Sequence, residues 1–351
     1  MGPRESTEAR GCLRPWPVLA RALGLGLALG ACTPPADAGA PVHVPVEQCL
    51  VPSRAASGLP LPSELAGAGP LRRVRGSLLL EVWTPSAWPL PDTEMDRAWA
   101  RGCAALGFVQ GELGLAAHEA SAAGPVRWVL LSDADFAALP GTDGADALTI
   151  EAGEGEGDAL VSPGGLLGDP AELDDTLAHE LVHVVQGRLV PGGEGVPWFV
   201  TEGMAVSAGA RHGRGRHGRV TGPAEGYLAE ASAAELAEAL DRFGVEDLTE
   251  EADVPEEAHG LSESAGGLFV EHLRRSFPDV QARLLAAMAW TRAEGFDAAF
   301  ARAFGGTSVA EVRRGLLEVM EGTEGDWPAR AGGTAFAPGA SPTQDTEPAG
   351  H

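Results

Sequence analysis

The spacing of hydrophobic positions changes partway along this chain. Up to about residue 165, apolar residues come in short dense runs; beyond it they recur every three or four positions. Ser77–Thr84 (SLLLEVWT) and Val126–Leu131 (VRWVLL) are rich in aliphatic, β-branched and aromatic residues and predict strands. Leu148–Glu151 and Ala159–Ser162 predict short edge strands on either side of a Gly/Glu-rich turn, and Thr93–Leu106 predicts a helix. The later pattern predicts helices over 170–189, 198–209, 233–243, 262–276, 279–290 and 308–320, divided by Pro- and Gly-rich turns. The expected fold class is α+β, with a small α/β sheet subdomain over 75–168 followed by a mostly helical subdomain over 169–325.

The two ends read differently. Residues 1–31 carry Arg4, Arg10, Arg14 and Arg21 ahead of or within an apolar run, Val18–Ala31, too short to span a bilayer comfortably. Residues 32–74 are rich in Pro, Ala and Gly and predict a tether; residues 326–351 lose apolar periodicity and predict a disordered tail. Cys49 and Cys103 are the cysteines of the intervening core. A disulfide between them and a pair of free buried thiols are both compatible with the sequence.

Charge narrows the range of partners. The 351 residues carry a formal charge of −25, and all 25 basic residues are arginine. Such a surface repels nucleic acid and anionic lipid head groups, so no nucleic-acid partner is expected.

The chemistry concentrates between Asp169 and Gly209. Asp169-Pro170-Ala171-Glu172 is a helix start: a capping Asp, Pro at the first helical position and Glu three residues after the cap. Leu173, Leu177, Leu181 and Val184 then form an apolar ridge, and His179 and His183, four apart, fall together roughly opposite it. Two imidazoles one turn apart can bind Zn²⁺ without straining the helix, while Glu180, one step round, faces the water that such an ion would activate. The helix runs about 9 Å past His183 before Pro191 and Gly192 turn the chain, and a second helix climbs about 6 Å from Trp198 to Glu202. An antiparallel return therefore brings Glu202 level with His183, as a third ligand.

HELVH (179–183) followed after a gap by PWFVTEGMA (197–205) resembles the gluzincin metallopeptidases, in particular the small bacterial peptidase MA-like group. The resemblance implies a zincin-like fold with the active-site helix between the two subdomains. It also implies one Zn²⁺ per chain on His179, His183 and Glu202, with Glu180 as general base acting on a peptide or protein substrate. The metzincin pattern fails, because it wants Gly at 186 and His at 189 where this chain has Gln186 and Leu189. Larger gluzincins place an Asp at the position of Val206 to orient a ligand histidine; Asp175 or Thr176 are the candidates to replace it. The family also stabilises an oxyanion with Tyr or His, for which Tyr227 and His259 are candidates. An edge strand just upstream of the motif holds extended substrate in such enzymes, a role that falls here to Ala159–Ser162.

Leu29-Gly30-Ala31-Cys32 resembles the lipobox of bacterial lipoproteins, which implies that Cys32 is acylated and becomes the mature N-terminus. With Thr33 behind it, the resemblance implies the cell envelope, at the outer membrane, with membrane contact through the lipid anchor alone. The basic stretch Arg211–Arg219 is expected to form a solvated loop after the second motif helix. The alternative to a peptidase is a catalytically inactive lipoprotein of the same fold, acting as a binding or envelope-scaffold protein.

Overall fold

The computed structural model describes Cys49, Pro52 and residues 60–321, except 89, 116–123, 141, 143–144, 151–157, 191–194, 219–231, 244–247, 249–253 and 256–257. Cys32 and Tyr227 lie outside the described residues. The protein is α+β: a small mixed sheet of five strands and a larger set of helices.

Strands β1 (Leu71–Gly76), β2 (Leu80–Pro85), β3 (Val126–Leu131), β4 (Leu148–Ile150) and β5 (Ala159–Pro163) lie in the order β1-β2-β3-β5-β4. The central pairs β2–β3 and β3–β5 are parallel; the outer pairs β1–β2 and β4–β5 are antiparallel. Helix α1 (Asp92–Glu112) makes the crossover from β2 to β3, as a parallel pair requires. Because successive side chains in a strand point to opposite faces, β3 serves two cores. Val126, Trp128 and Leu130 join the main core, and Val129 and Leu131 a smaller one behind the sheet.

The smaller core corrects the expected tether. Leu65, 2 % exposed in the 3-10 turn Ser63–Ala68, covers the back of the sheet together with Phe136 of the short helix α2 (Asp133–Phe136). The chain thus enters the fold before residue 74, and β1 itself occupies part of the stretch assigned to the tether. Its three arginines (LRRVRG) disguise it as solvated chain, yet Arg73 reaches the buried Glu81 of β2 at 2.8 Å. Farther upstream, Cys49 is bonded to Cys103 of α1, which resolves the two readings of the cysteines in favour of the disulfide.

The helical half follows the periodicity closely. Helix α3 (Pro170–Leu189) begins where its cap predicts, with the Asp169 carboxylate accepting from the amides of Ala171 and Glu172. After it come α4 (Trp198–His217), α5 (Ala233–Phe243), α6 (His259–Arg274), α7 (Val280–Glu294), α8 (Phe296–Ala303) and α9 (Val309–Glu321). The ridge Leu173, Leu177, Leu181 and Val184 is buried in the same core that receives β2, β3 and α1. The sheet and helical regions are therefore layers of one body.

Helix α4 runs eight residues past its expected end at Gly209, correcting the reading of the basic stretch as a loop. Neighbouring elements bury acids that need cations. Arg216 and His217 both reach the fully buried Asp174 at 2.7 Å, as does Arg101 from α1. Arg211 faces Glu112 and Glu271 at 3.5 and 3.7 Å, and His212 is buried against Phe108. An unpaired buried carboxylate would cost several kcal/mol. These ion pairs hold the last turns of α4 in helical form.

The disulfide fastens the incoming chain to α1 across a sequence separation of 54 residues. Replacing Cys49 by Ser should lower the free energy of unfolding by about 2–4 kcal/mol, read from urea denaturation against the oxidised protein. An unchanged midpoint would mean that the segment around Cys49 adds nothing to the folded body.

Candidate metal centre

Two helix pairings build the site. Helices α3 and α4 are antiparallel neighbours: Gln186 reaches the Thr201 carbonyl near one end, and Asp174 reaches Arg216 near the other. Helix α6 lies beside α4 and runs the same way, with Trp198 against His259 at one end and Ser207 bonded to Glu271 at 2.6 Å at the other. Between those points the backbones all but touch at Gly203 and Gly266, where a Cβ on Gly203 would stand 2.4 Å from the Gly266 carbonyl oxygen. Glu202 is the residue next to that contact.

The carboxylate it carries meets both imidazoles. His179 Nε2 and His183 Nε2 are 3.2 Å apart, and Glu202 Oε2 is 3.6 Å from the first and 3.3 Å from the second. Ligand atoms about 2.0–2.1 Å from a tetrahedral zinc stand about 3.3–3.4 Å from one another. The observed triangle brackets that spacing, and a point about 2.0 Å from all three atoms lies just off its plane. The donor set thus fits a divalent ion with a fourth corner left for another ligand. Among the described residues it is the one group of three or more potential metal-ligating side chains drawn together in this way.

Protonation shows what the triangle does without a metal. Burial alone would push the imidazoles down, but the charge and hydrogen bonding of Glu202 override it and raise His183 to about 10 and His179 in the same direction. Glu202 itself is held far below the ordinary carboxylate range, because His183 and His179 outweigh the opposing effect of its burial. The two imidazoles and the carboxylate thus stabilise one another's charged forms.

The residues that support this cluster differ from the expected ones. Gln186, one turn beyond His183, places its Oε1 3.1 Å from His183 Nδ1, and its amide nitrogen donates to the Thr201 carbonyl of α4. The imidazole is thereby fixed with Nδ1–H outward and Nε2 free to ligate. Asp175 lies instead against Gly209 of α4, and the Thr176 hydroxyl is buried with no hydrogen-bond partner among the described residues. Glu180 is 8 % exposed, and its Oε2 accepts a 2.6 Å hydrogen bond from Thr149 Oγ1 of β4. Spacing along α3 could have pointed to Gln186. Nothing local marks Thr149, which acts from a strand 31 residues away in sequence.

Two further acids face the cluster. Asp146, just before β4, is shifted upward by burial and acted on by the charges of His179 and Glu180. Glu263 of α6 is raised to about 7 by burial and then by Glu202, against the opposing charges of His179, His183 and His259. The expected oxyanion donor His259 is close by, but its Nε2 donates to the Val254 carbonyl at 2.8 Å.

The strand expected to hold substrate is also reassigned. Ala159–Ser162 lies in β5, which is hydrogen-bonded to β3 on one side and β4 on the other; its apolar run is buried for that reason. The outer strand on this side of the sheet is β4, the strand that carries Thr149. Comparison with protein-family models, curated proteins and solved structures returns no match for this chain.

Two measurements bear on this geometry. Zinc binding to the metal-free protein should displace the proton that Glu202 stabilises on His183. Affinity should then rise by about one decade per pH unit between pH 7 and 9, where His183 is still protonated, and titration in several buffers should detect the released proton. An affinity independent of pH would rule out a protonated His183. Gln186→Leu should weaken zinc binding by roughly 10–100-fold with little change in folded stability, as scored by competition against a chelator of known affinity.

Proposed function

We propose that this protein is a zinc-dependent peptidase with a zincin-like active site, hydrolysing peptide bonds with Glu180 as general base. The observation that carries the reading is the triangle of His179, His183 and Glu202, whose sides match the edges of a tetrahedral zinc site. A zinc ion held there would supply Lewis acidity, lowering the pKa of water and polarising the scissile carbonyl. Glu180 takes a proton from the attacking water as the water oxygen bonds to the carbonyl carbon. It then delivers that proton to the nitrogen as the C–N bond breaks. Thr149 steadies the carboxylate during both transfers.

The outer edge of β4 supplies a place for substrate. An extended peptide adding to that edge would pair with the strand that positions Glu180, so recognition and catalysis share one element. The lipoprotein reading of Cys32 gains support from the Cys49–Cys103 disulfide, which belongs in an oxidising compartment. Among the described residues, no helix is long and apolar enough to cross a membrane.

The rival is an inactive scaffold of the same fold. Val206 favours it, being a core residue, 3 % exposed and packed on Gly267, where a family enzyme would carry a metal-site acid. Gln186 and Thr149 favour the enzyme, since a scaffold gains nothing from orienting an imidazole and a general base. Glu180→Gln decides between them. The variant should keep one zinc per chain while peptide cleavage falls by on the order of 10²–10⁴, and a chelator should abolish cleavage by the native protein. Chelator-resistant cleavage, or full activity in the variant, would refute the assignment.

A further inference from the structure

We propose that Gln281 is a positioning residue for the metal centre: from α7 it fixes the turn of α4 that carries Glu202, although folding alone would favour an apolar residue in its place. The inference rests on the metal site within the peptidase reading and adds the residue that sets its third ligand.

The turn of α4 around Glu202 is held from three directions. From α3, the Gln186 amide nitrogen reaches the Thr201 carbonyl at 3.3 Å and the Met204 sulfur at 3.5 Å. From α6, the backbone at Gly266 meets Gly203. From α7, Gln281 Nε2 donates to the Met204 carbonyl at 2.9 Å, across 77 residues of sequence. Thr201, Gly203 and Met204 share one helical turn with Glu202, so these contacts set the height and rotation of its Cα.

Gln281 is the member of this set that folding does not favour. Its exposure is 0 %, and its Oε1 is buried with no hydrogen-bond partner among the described residues. A buried amide oxygen without a donor loses its hydration and gains nothing in return. Nor does α4 need the bond for its own sake. The Met204 carbonyl lies inside the helix and receives the Ala208 amide four residues on, so it stays satisfied without Gln281. Val280 and Leu284, on either side along α7, belong to the main core. A methionine at 281 would fill nearly the same space there and leave no polar atom over. What the glutamine adds is direction. Apolar packing tolerates small sliding of one helix on another, whereas a hydrogen bond holds α7 to one point of α4, two residues from Glu202. That is the turn whose placement decides whether the carboxylate can share an ion with two imidazoles.

The test measures zinc affinity and folding separately, on the full chain. Gln281→Met should bind zinc on the order of tenfold more weakly than the native protein, in competition with a chelator of known affinity. The metal-free variant should unfold at the same urea concentration as the native protein or at a higher one, and Gln281→Leu should behave alike. In a Glu202→Ala background, Gln281→Met should leave zinc affinity unchanged, because the ligand it positions is gone. A urea midpoint that falls in both variants, the signature of a packing role, would overturn the proposal. So would an equal tenfold loss with Glu202 already removed. Native protein that binds no zinc sinks the metal reading and this inference together. Zinc held at native strength by Gln281→Met sinks this inference alone, and the expected zinc affinities without peptide cleavage sink the hydrolase reading alone.

Discussion

The contact between Gly203 and Gly266 governs the geometry of the centre. Two helices can approach this closely only where neither carries a side chain, and a methyl group on either glycine would meet the backbone of the other helix. That approach sets the height of α4 against α6 and hence the position of Glu202, the next residue along. The other side of α4 is set by α3, through Gln186 near one end and the Asp174 ion pairs near the other. A carboxylate must come within a few tenths of an ångström of the correct spacing to share an ion with two imidazoles. Helix packing with interchangeable apolar side chains would leave that spacing loose; two glycines in backbone contact do not.

The chain places its arginine ion pairs around the centre and not within it. Asp174, Glu112 and Glu271 stitch α1, α3, α4 and α6 together with arginines, and these links lie away from His179, His183 and Glu202. Arginine suits this work because it stays protonated at any physiological pH and binds a carboxylate with several donors at once. Around the ligands, by contrast, the supporting groups are a glutamine and a threonine, which orient without adding charge. Electrostatic strength is spent on rigidity outside the site, and the field inside is left to the acids and whatever cations they receive.

Much of this was legible in the sequence, and what was not failed for identifiable reasons. The boundaries of α3 follow from its cap and its apolar period, both local properties. The meeting of Glu202 with the histidines follows from helical rise and a turn, which need only the neighbouring segment. The missed features depend on partners distant in sequence. Strand β1 looks like solvated chain until Glu81 is seen across from Arg73, and the last turns of α4 look like a loop until Asp174 is seen beneath them. The sequence reads both β4 and β5 as edge strands, because β4, three residues long and only half-buried, carries too weak a pattern to show that it covers β5. Thr149 and Glu263 reach the site from elements whose own sequences say nothing of a metal.

Strand β4 and helix α6 therefore carry the part of the site that the histidine motif does not. The motif and Glu202 define what the centre can hold, and any chain with the same three ligands would offer a comparable ion. The strand supplies the hydroxyl on Glu180, and the helix supplies the backbone contact beside Glu202. The centre is held rigid where an ion shared by two imidazoles and a carboxylate would require a fixed spacing.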